Sequence, residues 1–344
     1  MQAVIMAAGK SARTYPLTLT RPKPLLKAAN KTILEHNLDN LNGIADEAIL
    51  IVGYKKEMIR KKFGYRYKNI RLRYVEQKRQ LGTGHAASLA EGYIKDRFIL
   101  MAGDDIYSSK DIKKCTEHKY SVLTSTTKNP QNFGVVIQKN GLLADFAEKP
   151  KKFVSDVINT SLYTFDKKIF NHLKKIKKSE RDEYELPDAI KSLSKEEKIY
   201  CIKSKQWLPI GYPWDLLKAD KILRKNKNII GKNSKINGKV VKSSIGDNCT
   251  INGTVKNSIV MDNSTIGHSS VVEDSVIGEN TYFSGNIMSK NNAYSMIKNK
   301  RIEIGRLGAI ISDNVQARNA TIRAGCRIWP NKKISNSIIS EDLM

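Results

Sequence analysis

The chain has 344 residues and carries 60 Lys and Arg against 34 Asp and Glu, a formal charge of +26. That length exceeds one typical compact domain, so two are expected, and four cysteines without C-x-x-C spacing (Cys115, Cys201, Cys249, Cys326) point away from a zinc site and from a disulfide framework. No apolar run approaches the length of a membrane span and the first residues lack a signal-peptide pattern, so a soluble, cytoplasmic protein with no membrane partner is expected.

The opening stretch, AVIMAAGKSARTYPLTLTRPKPLL (residues 3–26), begins with an apolar run that reads as a buried parallel strand. Gly9 then frees the backbone for a sharp turn. Gly9, Lys10, Ser11 and Ala12 are small or flexible enough for backbone N–H groups to approach a phosphate chain, and Arg13 adds a planar fork of donors that matches phosphate oxygens. Lys23 lies between Pro22 and Pro24, whose fixed φ holds a mobile cation in one place.

Further on, TILEHNLDNL and KKEMIRKKF carry helical periodicity, DEAILIVG, IRLRYVEQ and RFILMAG read as strands, and a helix is expected from about His85 to Tyr93. This alternation predicts a doubly wound sheet with ligands beyond the C-terminal strand ends. Two motifs fall at such ends. In QKRQLGTGHA the turn at Gly82, Thr83 and Gly84 can read a base edge, and a glutamine can both donate to and accept from a pyrimidine. In MAGDDIY, Asp104 or Asp105 is placed to hold Mg²⁺ on a triphosphate. Residues 55–79 concentrate positive charge with interleaved aromatics, the look of a nucleic-acid face. Lysines are nevertheless spread over both halves of the chain, and only weak, salt-sensitive nucleic-acid binding is expected.

From Ile229 onward aliphatic residues recur six apart, as in Ile230 and Ile236, Ile245 and Ile251, then Ile322, Ile328 and Ile334, often followed by Gly or Asn. This is the period of a hexapeptide parallel β-helix. The expected domains are 1–225 and 226–344, joined by a basic helix and connector over residues 216–228.

The opening string resembles the G-x-G-T-R, P-L-T, P-K-P-L-L signature of the sugar-1-phosphate nucleotidylyltransferases, with Ser11 and Ala12 in place of the family's second glycine and threonine. Q-L-G-T-G-H-A resembles the uridine-reading segment of N-acetylglucosamine-1-phosphate uridylyltransferases, and FGVVIQ, FAEKP, VINTSLYTF and DEYELPDAI resemble, in order, the family's Y-G-V-V, E-K-P, N-T-G-x-Y and E-Y-E-L-T-D. The resemblance implies a Rossmann-like doubly wound mixed sheet followed by a left-handed parallel β-helix, of a kind that commonly forms trimers; a homo-oligomer is therefore expected. It further implies that Ala7, Ala8, Gly9, Gln77, Gly82 and Thr83 bind the nucleotide, that Gly134, Glu148 and Asn159 bind the sugar, and that Asp104 holds Mg²⁺. Arg13, Lys23 and Lys149 would act on the phosphates. The reaction implied joins UTP to N-acetylglucosamine 1-phosphate or glucose 1-phosphate and releases pyrophosphate. The rival readings are a dTTP-dependent glucose-1-phosphate enzyme, a bifunctional enzyme that also acetylates glucosamine 1-phosphate, a non-catalytic nucleotide-sugar-binding paralogue and a nucleic-acid-binding module.

Two departures stand out. Where the family usually has W-L-D-x-G, with Asp as second metal ligand, this chain has Pro209; Asp215, six residues on, is expected to cap a helix N-terminus instead. IGHSSVVEDSVIGEN resembles the acetyltransferase segment H-x-x-Y-x-G-D, in which His268 would be the general base, but Val271 and Glu273 replace the tyrosine and glycine. A structural coil with a decayed acetyltransferase site is the expectation.

Overall fold

The computed structural model describes residues 1–148, 150 and 152–344. Its contacts divide the chain into two compact units, one of residues 1–10 and 34–209, the other of residues 11–33 and 210–344. No helix among the described residues is long and apolar enough to cross a membrane.

The first unit is built on a ten-stranded mixed sheet. Its strands are β1 (Gln2–Ala7), β2 (Glu47–Val52), β3 (Arg66–Tyr67), β4 (Ile70–Glu76), β5 (Phe98–Ala102), β6 (Ser121–Thr126), β7 (Gly134–Lys139), β8 (Leu142–Glu148), β9 (Val157–Phe165) and β10 (Tyr200–Lys203). They lie in the order β7-β8-β10-β6-β9-β5-β1-β2-β4-β3. β1 is central and pairs in parallel with β2 and β5, and β2 with β4. The apolar runs on β1, β2 and β5 are buried almost throughout, as a strand covered on both faces requires. β9 runs antiparallel between β5 and β6, which makes the sheet mixed.

Helices α1 (Ile33–Leu41), α2 (Lys56–Phe63), α3 (Thr83–Ser88), α4 (Ser109–Thr116), α5 (Lys168–Leu173) and α6 (Leu186–Leu193) follow the strands. The expected His85–Tyr93 helix is shorter: α3 ends at Ser88, and residues 91–93 form a separate 3-10 turn around Gly92. Gly92, inside the second stretch, disfavours continuation of the α-helix.

In the second unit, α7 (Asp215–Leu223) leads into a parallel β-helix of three sides. Ile245, Val260, Ile277, Ile311 and Ile328 stack inward along one side, and Ile251, Ile266, Phe283, Ala317 and Ile334 along the next. Six-residue spacing relates these two sides, but whole coils advance by 15 or 17 residues because the third side is shortened. At the turn between the first two sides, Asn233, Asn248, Asn263, Asn280, Asn314 and Asn331 all take positive φ between 54° and 64°. Asparagine tolerates that region because its short amide can bond locally, and here the amides bond from coil to coil, Asn233 to Asn248 and Asn248 to Asn263. Residues 290–307, rich in Lys and Asn, form an antiparallel hairpin, Lys290–Ile297 with Lys300–Leu307, that leaves the coil between two stacked turns.

Candidate functional site

The C-terminal ends of β1, β2 and β5 each run into a glycine, Gly9, Gly53 and Gly103. The chain is pinned there by short-range bonds: Gly103 N donates to Met6 O at 2.8 Å, while Ala8 O accepts from Tyr54 N at 3.0 Å and from Gln80 Nε2 at 2.9 Å. Ala7 and Ala8 are buried beneath this floor and Gly9 is exposed above it.

Gln77 follows β4 and is nearly enclosed, at 5% exposure. Its Nε2 donates to Gly82 O at 3.2 Å and lies 3.0 Å from His85 Nδ1. Burial, and then the charge of Arg79, hold the His85 pKa below its usual value, so the neutral ring accepts from Gln77 through Nδ1. Gly82 takes φ +98° and ψ 176°, a region that only glycine occupies freely. A Cβ on it would lie 2.6 Å from Tyr184 O. The predicted turn is thus welded to the DEYELPD segment: Gly84 N donates to Tyr184 O at 2.8 Å, Tyr184 N to Leu81 O at 2.8 Å, and Leu186 N to Thr83 Oγ1 at 3.1 Å. The Thr83 hydroxyl, exposed, keeps its proton for an outward donor bond.

Gly134, Glu148 and Asn159, far apart in sequence, meet through strand register. Gly134 pairs with Glu148 across β7 and β8, and the site a Gly134 Cβ would fill is 3.0 Å from Glu148 Oε2 and 3.8 Å from Asn159 Cβ. A bulge in β9 aims Asn159: Ser161, at φ +62°, donates its N–H to Asn159 Oδ1 at 2.9 Å, and Asn159 Nδ2 donates to Tyr163 OH at 2.6 Å. Ser161 stands where the family motif has glycine, and Ser11, at φ +50°, likewise replaces the family's second glycine. Both serines hold a left-handed backbone, a region that glycine enters at no steric cost.

Residues that sequence reasoning missed close the circuit. Arg181 Nη2 donates to Glu148 Oε1 at 3.2 Å and to Glu185 Oε1 at 2.8 Å. The buried Tyr107 donates its phenol to Thr160 O at 2.6 Å, next to Asn159. Trp207 Nε1 donates to Asp105 Oδ2 at 3.1 Å, and its ring meets Phe133 edge-on. Burial, then the charges of Asp105 and Asp104, push the Tyr107 pKa well above normal. Lone tyrosine, tryptophan and arginine residues give no sequence signal, although Arg181 sits just before the motif DEYELPD.

Asp104 lies beyond Gly103, half-buried, with Asp105 committed to Trp207. Among the described residues no three His, Cys, Asp or Glu groups cluster as metal ligands. A carboxylate at this strand end is a hard oxygen donor of the kind a divalent cation takes. Lys149 falls outside the described residues.

The remaining predicted residues belong to the second unit. Residues 12–14, 17–19 and 23–25 form three 3-10 turns, and Thr14 and Thr18 hydroxyls both donate to Ser11 O. Arg13 stacks over the Tyr212 ring, 5.8 Å from its centroid. Lys23 is 4% exposed. Asp215 does not cap α7; it is the first helical residue, after Trp214 at the cap, and its Oδ2 accepts from Gly211 N at 2.9 Å and Tyr212 N at 2.8 Å. The GYP turn curls back over the helix start and captures the carboxylate. Burial raises its pKa in spite of these amides and of Lys23, which makes it a poor substitute for the aspartate replaced by Pro209. His268 is exposed on a coil turn, its carbonyl accepting from Ser270 Oγ.

Much of the basic stretch 55–79 is internally paired: Lys56 with Glu76 at 2.5 Å, Lys62 with Glu35 at 3.1 Å, Lys68 with Asp39 at 2.5 Å, and Arg71 and Arg73 with Glu47 at 3.2 and 3.4 Å.

The nucleotidyl transferase family model matches residues 2–226, about two thirds of the chain. The chain belongs to the nucleotidyl transferase family. A model described as the GMPPB C-terminal domain matches residues 219–344 of this transferase. A "Bifunctional protein GlmU" from Methanocaldococcus jannaschii is 38% identical over 100% of this chain and 96% of that protein, in an alignment of 395 positions that exceeds this transferase's own length. A "Bifunctional sugar-1-phosphate nucleotidylyltransferase/acetyltransferase" from Sulfurisphaera tokodaii is 31% identical over 100% of this chain and 98% of its own. Among solved structures, a putative glucose-1-phosphate thymidylyltransferase from Bacillus anthracis superimposes with TM-score 0.58 and 25% identity, covering 65% of this chain and 95% of that one. The transferase is an enzyme with a Rossmann-like fold and a C-terminal β-helix, as its motifs predicted.

Proposed function

We propose that the transferase joins UTP to a sugar 1-phosphate, N-acetylglucosamine 1-phosphate or glucose 1-phosphate, releasing pyrophosphate. The observation that carries this reading is the closed circuit around the strand ends of the first unit. It runs from Ala8 and Gln80 through Gln77 and Gly82, across Tyr184 and Arg181 to Glu148, Gly134 and Asn159, and back through Tyr107 to the Asp104 strand end. One arc offers amide and hydroxyl groups suited to a pyrimidine edge; the other offers a carboxylate and a carboxamide suited to sugar hydroxyl or acetamido groups.

In this reading an oxygen of the sugar phosphate attacks the α-phosphorus in line, and the bond to the β-phosphate oxygen breaks as pyrophosphate leaves with the electron pair. Gln77, Gly82 and Thr83 hold the base, Glu148 and Asn159 the sugar, and Lys149 orients the attacking phosphate. Arg13 and Lys23 neutralise the departing pyrophosphate. Asp104 would hold Mg²⁺, which when bound lowers the repulsion between phosphates. Catalysis is then positioning and electrostatics without a covalent protein intermediate. We read the β-helix as structural, with association of copies through apolar residues it leaves exposed, Ile230 and Ile236 on its first coil and Ile338 near its end; sedimentation of the purified chain tests that association.

The decisive assay is pyrophosphate release with Mg²⁺ and either UTP or dTTP, in wells holding glucose 1-phosphate, N-acetylglucosamine 1-phosphate or no sugar. Sugar-dependent release with UTP is expected. Release preferring dTTP would correct the nucleotide, and none in any well would refute the function. A parallel arm with glucosamine 1-phosphate and acetyl-CoA is expected to stay silent.

A further inference from the structure

The signature segment that carries Arg13 and Lys23 is held by the β-helix. Aspartate or glutamate recurs at one turn of successive coils, at Asp262, Glu279 and Asp313, and two of these carboxylates divide their oxygens between two tasks. Asp262 Oδ1 accepts from Asp247 N at 3.0 Å and Asp313 Oδ1 from Glu279 N at 2.7 Å, tying each coil to its neighbour. The other oxygens face the segment: Asp262 Oδ2 pairs with Lys27 Nζ, and Asp313 Oδ2 accepts from Arg21 Nη2 and Thr20 Oγ1, both at 2.5 Å. Glu279 pairs with the second nitrogen of the same Arg21 fork. Arg21 and Asp313 are both buried, at 8% and 3% exposure.

These contacts bracket Lys23. On its N-terminal side Arg21 and Thr20 are clamped, and Pro22 transmits the constraint with a fixed φ of −72°. On its C-terminal side Lys27 is clamped, Ala29 N donates to Asp220 Oδ1 at 2.8 Å, and Asn30 Nδ2 donates to Ile245 O at 2.6 Å. Between the anchors, Leu25 N to Pro22 O and Leu26 N to Lys23 O close a 3-10 turn. Three coil carboxylates thus pair with two cations, the buried Arg21 and the half-buried Lys27, that flank Lys23 in the chain.

We infer that Asp262, Glu279 and Asp313 are positioning residues of the transferase, through which the β-helix sets the place of Lys23 and makes the C-terminal half a working part of nucleotidyl transfer. The inference rests on the function proposed above. It predicts that loosening the clamp lowers turnover while nucleotide and sugar binding, made by other residues, are largely kept.

The test uses the full chain with Asp313→Asn, with Asp262→Asn as an independent second variant and Asp274→Asn as a control on a coil carboxylate that pairs with Arg306 instead. Asp313→Asn is expected to lower kcat by about 10- to 100-fold, the range for an ångström-scale misplacement, with KM for UTP and for the sugar phosphate moving less than about threefold; Asp313→Glu should recover part of the loss. Amide hydrogen exchange should rise in residues 17–30 and stay unchanged in residues 244–266. Asp274→Asn should match wild type in both readouts. Unchanged exchange in residues 17–30 refutes the clamp whatever the activity. Raised exchange with an unchanged kcat refutes its catalytic role, and exchange rising throughout the coil shows a scaffold residue only. If wild type releases no sugar-dependent pyrophosphate, the proposed function fails, while the exchange arm still decides whether the clamp exists.

Discussion

Gly82→Ala tests the reading of the nucleotide-facing turn most sharply. At φ +98° and ψ 176° the backbone lies where a residue with a side chain is strained by about 1–3 kcal/mol. The added methyl meets Tyr184 O at 2.6 Å, Glu183 Cβ at 2.9 Å and Tyr184 N at 2.9 Å. Two of these are backbone atoms, and neither can swing aside, because Tyr184 O already holds Gly84 N and Tyr184 N holds Leu81 O. Overpacking against such atoms costs about 1–3 kcal/mol more, so a destabilisation of about 3 kcal/mol is expected, a Tm drop of roughly 6–12 °C for a cooperative unit of this size. The relief available is displacement of the turn, which breaks the bond from Gln77 Nε2 to Gly82 O and moves Thr83 from Leu186 N. KM for UTP should rise accordingly, by tenfold or more, with KM for the sugar phosphate changing less. Differential scanning fluorimetry and initial rates at varied UTP would read both. A Tm within 2 °C of wild type together with an unchanged KM for UTP would refute the reasoning, since the methyl would then have found room that the geometry denies.

Lys23→Ala should lower kcat by about 10²–10³-fold, the scale of losing one preorganised transition-state donor, with a smaller change in substrate KM; near-wild-type turnover in steady-state assays would remove Lys23 from the mechanism. Ser11→Gly should raise the denaturation midpoint, because a serine at φ +50° carries about 1–2 kcal/mol of left-handed strain that exceeds the extra unfolded-state freedom of glycine, about 0.5–1 kcal/mol; urea melts decide it. His85, with its pKa depressed first by burial and then by Arg79, binds its proton more weakly folded than unfolded. Its contribution to stability is therefore complete above the ordinary pKa of about 6.5 and is lost as pH falls through the lower folded value. Protonation also ends the acceptance from Gln77 at Nδ1, so KM for UTP should rise on that acid limb; NMR titration of the His85 ring and the pH profile of KM should share a midpoint below 6.5.

The chemistry-bearing motifs were legible in the sequence because each is local: an apolar run ending in glycine is a buried strand and a turn, whatever surrounds it. The parallel strands β1, β2 and β5 follow from continuous apolar runs, β4 from alternation, and the inward aliphatic stacks of the β-helix from a six-residue period. Asp104 and the Gln77–Thr83 turn were visible as strand-end motifs for the same reason, and the order of Gly134, Glu148 and Asn159 was readable by resemblance. Their convergence was not, since it depends on antiparallel register among β7, β8 and β9 and on a bulge at Ser161. The shortened coils and the hairpin at residues 290–307 were hidden because a six-residue period constrains two sides of a coil and leaves the third free.

What the sequence by itself determined is the family signature and the two parts of the fold, one half a wound sheet and the other a coil. Only the tertiary structure decided that residues 11–33 pack with the coil half, that Arg21 is neutralised by Asp313 and Glu279, and that Asp215 is spent on the amides of Gly211 and Tyr212. The physical reason is that periodicity and turn chemistry act over a few residues. A buried ion pair between positions almost 300 residues apart leaves no mark on the sequence near either partner.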